Sequence, residues 1–233
     1  TIGNWQENSS STGAGFSYGF YCGTLILWDL FEKNPGDLRR DLSMAPYKLN
    51  ASDAAVYWKD TELVTRRCGK YRREWTTTSP KEKNNDQINY PVLRYADVLL
   101  MLAEAENEVN QAPTDLAYDA MNEVRERAGI DKVENLSYAE FQQEVRDERA
   151  RELCFESLRK YDLIRWGIYY DAAHNKLTTA TNDKRWTTSS YYKAAKDYAA
   201  NTEEKHRFLP IPMKELGVNL LLKQNSYWSN ATE

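Results

Sequence analysis

Apolar residues are most regularly spaced between residues 91 and 128, where they predict two helices. In the segment 91–110, PVLRYADVLLMLAEAENEVN, they recur three and four positions apart, as on one face of a helix. Residues 115–128 repeat the pattern. Thr114 is a residue type that caps helix N-termini, and Gly129 is a common C-terminal stop. The short connection between the two segments predicts an antiparallel helical hairpin.

A third helix is predicted to follow the hairpin. Ser137 and Glu140 have the spacing of a capping box, which marks a helix start, and the helix is expected to run to about Arg159. Alanine-rich hairpins of this length resemble tetratricopeptide units, although the period is not a clean repeat. Because stacked repeats cover one another's apolar faces, we expect residues 91–167 on their own to expose apolar surface.

The rest of the chain has no comparable pattern. Its apolar runs are short, turn residues are frequent, and aromatic residues are scattered through polar sequence. The predicted elements are a helix at 25–31, strands at 55–59 and 69–76, a long loop at 168–205, an extended segment at 208–212 and a short helix at 213–217. The predicted fold is therefore mainly α: a tetratricopeptide-like helical scaffold with long irregular loops and a few short strands.

The predicted third helix carries charges where a simple amphipathic helix would be apolar. Arg149, Glu152 and Glu156 follow Val145 at steps of four, three and four, so they share its inward face. Helical spacing pairs Arg149 with Glu152 and Glu156 with Arg159, and buried charges need such partners. The two glutamates fit either acid–base catalysis or an ion-pair lattice that fixes helix register. We favour the lattice because each carboxylate has an arginine within one helical turn.

Charge gives no argument for a nucleic-acid partner. The formal net charge of the 233 residues is −4, and no apolar run approaches the length of a membrane span. Acidic residues flank the one basic cluster, which we expect to be a solvated face rather than a phosphate site. The cluster consists of Arg66, Arg67, Lys70, Arg72 and Arg73.

Cysteine and histidine predict no metal or cofactor site. The three cysteines lack metal-ligand spacing, and the chain has only two histidines. Cys154 lies within the third helix and is expected to be a core thiol. Cys22 and Cys68 could form a disulfide in an oxidising compartment, and the sequence leaves this open. We therefore assign no catalytic residue, no cofactor and no metal ligand.

Several short motifs resemble the C-terminal half of the SusD/RagB family. Each motif is weak by itself, but they stand in the family's order across about 25–228, and the ordered set is specific. The motifs are DLRR from Asp37, RYADVLLM from Arg94, AEA from Ala103, NEVRERAG from Asn122, the Glu148–Glu156 segment, RKYDLIRW from Arg159, LPIP from Leu209, and Gln224–Asn225.

The resemblance implies a cell-surface lipoprotein of a Gram-negative nutrient-uptake system. Such proteins are not enzymes; they capture glycans, or peptides in some members, for import through a SusC-like TonB-dependent transporter of the outer membrane. The family fold is largely helical, with an irregular ligand-facing part. The resemblance therefore assigns residues 1–90 to the ligand-facing region, 91–167 to the scaffold and 168–233 to a loop-rich cover, all within one domain.

Two departures from the family pattern matter. The family's N-terminal half and its lipidated cysteine have no counterpart here, so we expect the chain to be a fragment of a lipid-anchored parent. Residues 1–8 have neither the basic head nor the apolar middle of a signal peptide. In addition, Leu38 stands where the family usually has proline.

Ligand contacts are expected among the aromatic residues of the irregular region. The chain has 16 Tyr and 7 Trp, many of them outside the predicted helices. A sugar presents a face of C–H groups that can stack on a flat ring at small entropic cost. The candidate ligand-binding residues are Trp5, Tyr18, Tyr21 and Trp58, and the alternative for each is packing beneath a loop. Trp28, in an apolar run, and Trp166, in a scaffold motif, are assigned to the core.

Other function classes remain open at this level. They are a peptide-binding member of the same family, a tetratricopeptide-type protein-interaction scaffold, and a helical carbohydrate-active enzyme. Binding to soluble glycans without release of reducing sugar would exclude the enzyme. Loss of binding on aromatic substitution would exclude a pure interaction scaffold.

Overall fold

The fold is mainly helical, as predicted. The computed structural model describes residues 3–8, 13–77, 79–81, 87–187 and 191–229. The α-helices are α1 (Leu25–Glu32), α2 (Arg39–Ser43), α3 (Tyr95–Asn110), α4 (Asp115–Arg127), α5 (Tyr138–Glu152), α6 (Arg159–Arg165), α7 (Leu177–Thr181), α8 (Lys184–Thr187), α9 (Tyr192–Ala200) and α10 (Met213–Val218). A π-helix spans Asp171–Lys176, and 3-10 turns span Leu63–Thr65, Arg73–Trp75 and Glu204–Arg207.

The short strands form two antiparallel pairs. They are β1 (Met44–Ala45), β2 (Tyr47–Leu49), β3 (Ala55–Tyr57) and β4 (Arg67–Cys68), with β1 paired to β4 and β2 paired to β3. The predicted strand at 55–59 corresponds to β3. The strand predicted at 69–76 is wrong. Residues 69–76 contribute to neither strand pair, and Arg73–Trp75 form a 3-10 turn.

Helices α3, α4 and α5 pack as the predicted hairpin plus one helix. Their contact is a continuous apolar core in which Leu100, Met121 and Phe141 are completely buried. The predicted caps are present: Thr114 Oγ1 accepts a hydrogen bond from the Ala117 N–H at 3.1 Å, and Ser137 and Glu140 form the capping box. The outer side of α3 leaves a second apolar stripe exposed, as expected. Its members are Tyr95, Val98, Met101 and Val109.

The third predicted helix is shorter than expected. Helix α5 ends at Glu152, and α6 begins only at Arg159. Between them Phe155 and Ser157 have φ of 64° and 59°. These values lie in the left-handed region, which is sterically unfavourable for residues other than glycine. The apolar spacing continues through this break, so the periodicity alone did not reveal it.

Residues 168–205 are not the predicted long loop. They contain the π-helix and α7 to α9, and Leu177, Trp186 and Ala199 join the core around Trp28 and Phe31 of α1. The C-terminal region thus covers α1 with helices. The sequence signal was weak because short helices rich in Ala, Thr and Tyr bury few large aliphatic side chains.

The two tryptophans that the sequence assigns to the core behave differently in the structure. Trp28 is buried, as predicted, whereas the core assignment of Trp166 is wrong. Trp166 is half-buried, and its Nε1–H donates to Glu104 Oε1 at 2.7 Å. Its ring is surrounded by the guanidinium groups of three arginines, which lie between 4.7 and 5.4 Å from the ring centroid; these are Arg146, Arg159 and Arg165.

The four arginines of the basic cluster are buried and Lys70 is half-buried, contrary to the prediction of a solvated face. The guanidinium groups pack on aromatic rings: Arg66 lies 4.7 Å from the centroid of Trp28, and Arg72 lies 4.5 Å from that of Trp75. The Arg73 side chain donates to the Phe16 carbonyl at 2.6 Å. Arginine can be buried in this way because a planar guanidinium stacks on a ring while its N–H groups still reach acceptors.

Candidate functional site

The buried carboxylates of α5 and of the segment that follows it form an ion-pair lattice. Glu152 accepts hydrogen bonds from Arg39 at 2.9 Å and from Arg127 at 2.5 Å, and it is also paired with Arg94. Glu156 is paired with Arg94 at 2.7 Å and with Lys70 at 2.5 Å. Burial alone would raise the pKa of Glu152, but the hydrogen bonds from Arg127 and Arg39 and the charge of Arg94 outweigh it and lower the pKa to about 2. A carboxylate held ionised in this way is a poor proton donor.

The spacing-based pairs within this lattice are wrong, although the lattice itself is present. Arg149 does not pair with Glu152; it pairs with Asp97 at 2.8 Å and with Asp162 at 2.9 Å. The break after α5 also removes the helical geometry that would bring Arg159 to Glu156. The real partners of both glutamates come from outside α5, so spacing along one helix did not predict them.

A second layer of the lattice surrounds Glu148, which is completely buried. Arg151 and Arg125 donate to it at 2.6 and 3.1 Å, and Arg39 bridges it to Glu152. Burial raises the pKa of Glu148, but the charges of Arg151 and Arg39 lower it further than burial raises it. The lattice thus pairs its charges within the chain and ties α2, α4 and α5 together.

Trp5 and Trp58 lie together and are both half-buried. Their rings are stacked at a centroid distance of 6.0 Å and an interplanar angle of 28°. Lys48 Nζ lies 4.1 Å from the Trp5 centroid, and Arg67 lies 5.2 Å from Trp5 and 5.7 Å from Trp58. Arg67 also donates to the Tyr191 hydroxyl at 2.6 Å. The chain's own cations therefore occupy ring faces that a ligand would need.

Tyr18 is in a different setting, because it stacks on an exposed neighbour. The Tyr18 and Phe20 rings are nearly parallel, with a centroid distance of 4.8 Å and an interplanar angle of 5°, and Phe16 contacts Tyr18 edge-on. Tyr18 is 43% exposed and Phe20 is 65% exposed. We call Phe16, Tyr18 and Phe20 the aromatic ridge.

Gly19 fixes the ridge against the Trp5 backbone. Its φ of +57° favours glycine, and a Cβ at this position would lie 2.8 Å from the Cβ of Trp5. Gln6, next to Trp5, exchanges two backbone hydrogen bonds with Ser17 at 2.9 and 3.2 Å. The ridge therefore sits on a backbone whose neighbours are close and hydrogen-bonded.

Tyr21 lines a cleft with the strained segment between α5 and α6. The cleft has a volume of about 470 Å³, and two exposed tyrosines stand on its wall, Tyr21 at 55% and Tyr161 at 68% exposure. We call it the Tyr21–Tyr161 cleft. The remaining lining residues are Leu153, Phe155, Ser157, Arg159 and Lys160. A smaller cavity of about 210 Å³ shares Leu153, Phe155 and Arg159 with it.

A further cavity of about 590 Å³ lies over the ion-pair lattice. Leu38, Leu42 and Trp75 line its apolar part, and Arg94 and Glu152 are among its charged residues. Its charged residues are largely occupied by one another, which leaves the apolar part as the main contact surface.

The four predicted site residues thus form three groups. Trp5 and Trp58 come together, Tyr18 belongs to the ridge, and Tyr21 faces Tyr161. Phe20 and Tyr161 are two further exposed rings that the sequence did not predict as site residues. Phe20 was detectable, because it stands two positions after Tyr18 in a glycine-rich segment, where side chains can share a face. Tyr161 was hidden because it lies in a motif interpreted as scaffold.

Other kinds of site have no support in the described residues. Within them no group of three His, Cys, Asp or Glu side chains could hold a metal ion, and no helix is both long and apolar enough to cross a membrane. Cys22, Cys68 and Cys154 are free thiols. Burial raises the pKa of the Cys68 thiol to about 11.

Comparison with curated proteins points to one family. The chain is 37% identical over 156 residues to SusD-like protein P25 of Formosa agariphila, a match that covers 65% of this chain and 26% of that protein. SusD-like protein P2 of the same organism is 40% identical over 85 residues, which cover 33% of this chain and 17% of that protein. The matches thus span about a quarter or less of these relatives.

Solved structures share the fold. A SusD homologue from Bacteroides thetaiotaomicron superposes with a TM-score of 0.80 at 29% identity, covering 96% of this chain and 47% of that one. Surface glycan-binding protein A from Bacteroides uniformis superposes with a TM-score of 0.58 at 29% identity, covering 97% of this chain and 46% of that one. This chain therefore corresponds to about half the length of each.

The family profile matches most of the sequence. The profile described as the SusD family aligns with residues 42–228, a range that includes the scaffold helices α3 to α5, the lattice carboxylates Glu148, Glu152 and Glu156, and the C-terminal helices. These matches confirm the family that the sequence motifs indicated: the chain belongs to the SusD family.

Proposed function

We propose that this protein binds glycans at the cell surface and presents them for import through a SusC-like TonB-dependent transporter of the outer membrane. The observation that carries the proposal is the exposed, nearly parallel Tyr18–Phe20 stack in a chain of the SusD family. A solved relative is named a surface glycan-binding protein, which supports the same ligand class. In this proposal the protein is a binder and not an enzyme, and a lipid anchor on the parent holds it at the outer membrane.

The ridge has the properties that sugar recognition requires. Stacked rings cover each other's facing sides, so the ridge offers a ligand mainly the Phe20 ring, which is 65% exposed. Aromatic side chains are ordered at small entropic cost because they have two rotatable bonds. The ridge rests on Gly19 and Trp5, so its position is set before a ligand arrives. A saccharide chain laid on the ridge would cover exposed apolar surface and keep its hydroxyl rim in water.

The ion-pair lattice argues against the acid–base alternative. Glu152 and Glu156 have arginine or lysine partners, and Glu152 has a lowered pKa. An acid catalyst of glycoside cleavage needs the opposite shift, because it must hold a proton near neutral pH. Glycan binding without bond cleavage is therefore the function that the geometry supports best.

Calorimetry on the intact protein with a panel of soluble polysaccharides tests the proposal. For whichever polysaccharide binds, Phe20→Ala should weaken binding by about five- to hundred-fold. This range corresponds to the loss of one stacking contact of about 1–3 kcal/mol, by analogy with nucleic-acid bases that stack on aromatic side chains. Tyr95→Ala removes an equally exposed ring from the outer side of α3 and serves as the matched control. Unchanged affinity in Phe20→Ala, or binding of peptides but of no polysaccharide, would contradict the proposal.

A further inference from the structure

Two cations in the Tyr21–Tyr161 cleft have no acidic partner. Arg159 and Lys160 both line the cleft, and in the part of the chain that the structure describes neither has a carboxylate oxygen within 4.0 Å. Arg159 donates to the Arg146 backbone carbonyl at 2.9 Å, and its guanidinium lies 5.4 Å from the Trp166 centroid. Lys160 Nζ lies 5.4 Å from the Tyr169 centroid. These contacts satisfy part of their hydrogen-bonding capacity, and the ring faces stabilise the charges in part, but neither cation has a counter-ion among the described residues.

The acidic residues nearest Arg159 are already paired elsewhere. Asp162 is held by Arg149 and Arg165, each at 2.9 Å, and Asp147 is held by Lys33 at 3.0 Å. Burial lowers the pKa of Arg159, the charges of Asp162 and Asp147 oppose this, and the neighbouring Arg149 and Arg146 add to the lowering. Arg159 nevertheless remains charged at neutral pH, because an arginine titrates far above it. The cleft therefore has excess positive charge.

This excess contrasts with the buried ion-pair lattice. The buried arginines of the lattice pair with carboxylates; they are Arg39, Arg125, Arg149 and Arg151. Half-burying a guanidinium without a counter-ion costs free energy that a charged partner recovers. Since no carboxylate of the described chain supplies that partner, a ligand anion is the natural complement.

The cleft adds ring surface to this charge. Tyr21 and Tyr161 stand exposed beside Arg159 and Lys160, and the volume of about 470 Å³ falls within the range of small-ligand sites. A pyranose ring presents C–H groups to a tyrosine, and a carboxylate or sulfate on it accepts charge-assisted hydrogen bonds from arginine and lysine. A neutral sugar would use the tyrosines and leave both cations unpaired.

We propose that the Tyr21–Tyr161 cleft binds an acidic sugar residue of a glycan, with the ring against the tyrosines and its anionic group between Arg159 and Lys160. The inference rests on the proposed glycan-binding function and narrows it to polysaccharides that carry carboxylate or sulfate groups. In this inference the cleft is a subsite that binds the anionic group of the glycan. The aromatic ridge beside it contacts only the apolar faces of sugar rings.

Paired polysaccharides that differ only in charge test this inference. The intact protein is titrated with polygalacturonate and its carboxyl-reduced neutral form, and with a sulfated carrageenan and its desulfated form, at constant low ionic strength. At least one acidic polymer should bind about tenfold or more tightly than its neutral partner, and added NaCl should reduce this difference. The two pairs distinguish a carboxylate from a sulfate ligand.

Two charge-removing variants locate the effect. Arg159→Gln and Lys160→Gln should each weaken binding of the acidic polymer about tenfold and leave the neutral form unaffected. Lys214→Gln, on the exposed side of α10, removes one positive charge elsewhere and should change neither. Because Lys160 is exposed, Lys160→Gln keeps the test valid even if Arg159→Gln impairs folding.

The outcomes separate this inference from the broader function. Equal affinity for acidic and neutral polymers, or an unchanged affinity in Lys160→Gln, overturns the acidic-sugar inference and leaves glycan binding standing. An equal loss in Lys214→Gln also overturns it, since the preference would then reflect only net charge. Binding of no polysaccharide at all overturns both.

Discussion

The helical scaffold and the aromatic region before it differ in whether their main interacting side chains have partners within the chain. In the scaffold, Glu148 and Glu152 are buried and have several partners each within the chain. In the aromatic region, Phe20 and Tyr21 keep ring faces open to solvent. Groups whose interactions are satisfied internally stabilise the fold, whereas groups left unsatisfied on a rigid support are available to a ligand. The Trp5–Trp58 pair lies between these cases, because the chain's own cations already cover its rings.

The largest effect is expected from breaking the lattice. Glu152→Gln leaves Arg39, Arg94 and Arg127 around a neutral side chain, so it should lower the free energy of unfolding by about 3–5 kcal/mol. Urea denaturation followed by circular dichroism measures this loss. A change below about 1 kcal/mol would show that the lattice does not stabilise the scaffold.

Lowering the pH should remove the stabilisation by the Glu152 ion pairs in the wild-type protein. The pKa of Glu152 is about 2 in the folded protein against an ordinary value of 4.5, so its contribution is complete above pH 5 and is lost as the pH falls toward 2. A shift of this size corresponds to about 3 kcal/mol. Unfolding free energies at a series of pH values should fall more steeply for the wild-type protein than for Glu152→Gln. Parallel curves would contradict the assignment of this loss to Glu152.

An intermediate effect is expected where aromatic residues are packed by cations. Trp5→Ala and Trp58→Ala each remove a half-buried ring and its contacts with Lys48 and Arg67, so each should cost about 1–3 kcal/mol of stability. Phe20→Ala, in the same region, should cost less than about 1 kcal/mol. Thermal melting of the three variants measures the difference. If the tryptophan variants melt like the wild type and lose glycan affinity, these two residues are ligand contacts.

The smallest expected effect is an increase in stability, from Ser157→Gly. Ser157 adopts a left-handed conformation between α5 and α6, where glycine carries no steric cost. Ser157→Gly should therefore raise the free energy of unfolding by up to about 1 kcal/mol, because relief of strain exceeds the added flexibility of the unfolded chain. The midpoint of urea denaturation gives the result. A lower midpoint would mean that the serine side chain contributes more than its backbone strain costs.

Local sequence patterns predicted the scaffold helices well, because residues close together in the sequence determine where such helices form. The apolar period and the caps at Thr114 and Ser137 predicted α4, the start of α5 and the end of α3. The start of α3 was wrong, because the helix begins at Tyr95 and not at Pro91. The end of α5 was missed because the left-handed residues Phe155 and Ser157 are not glycines, so no sequence signal marked the turn.

Long-range contacts explain the remaining differences. Glu152 finds Arg39 and Arg127 through tertiary packing, which spacing along one helix cannot report. The charge pattern alone predicts a solvated face for the basic cluster, because burial of Arg66 depends on a ring from α1, Trp28. The candidate site was predicted as a region and a residue class, whereas its partition into ridge, cleft and packed pair depends on which chain neighbour covers each ring.

Side-by-side calorimetry of Glu152→Gln and Phe20→Ala, with one glycan that binds the wild-type protein, tests the division between scaffold and ligand surface most directly. At a temperature where both variants are folded, Glu152→Gln should retain the wild-type dissociation constant, and Phe20→Ala should raise it by about five-fold or more. The reverse pattern, with affinity lost in Glu152→Gln and kept in Phe20→Ala, would contradict the account and place the ligand over the ion-pair lattice.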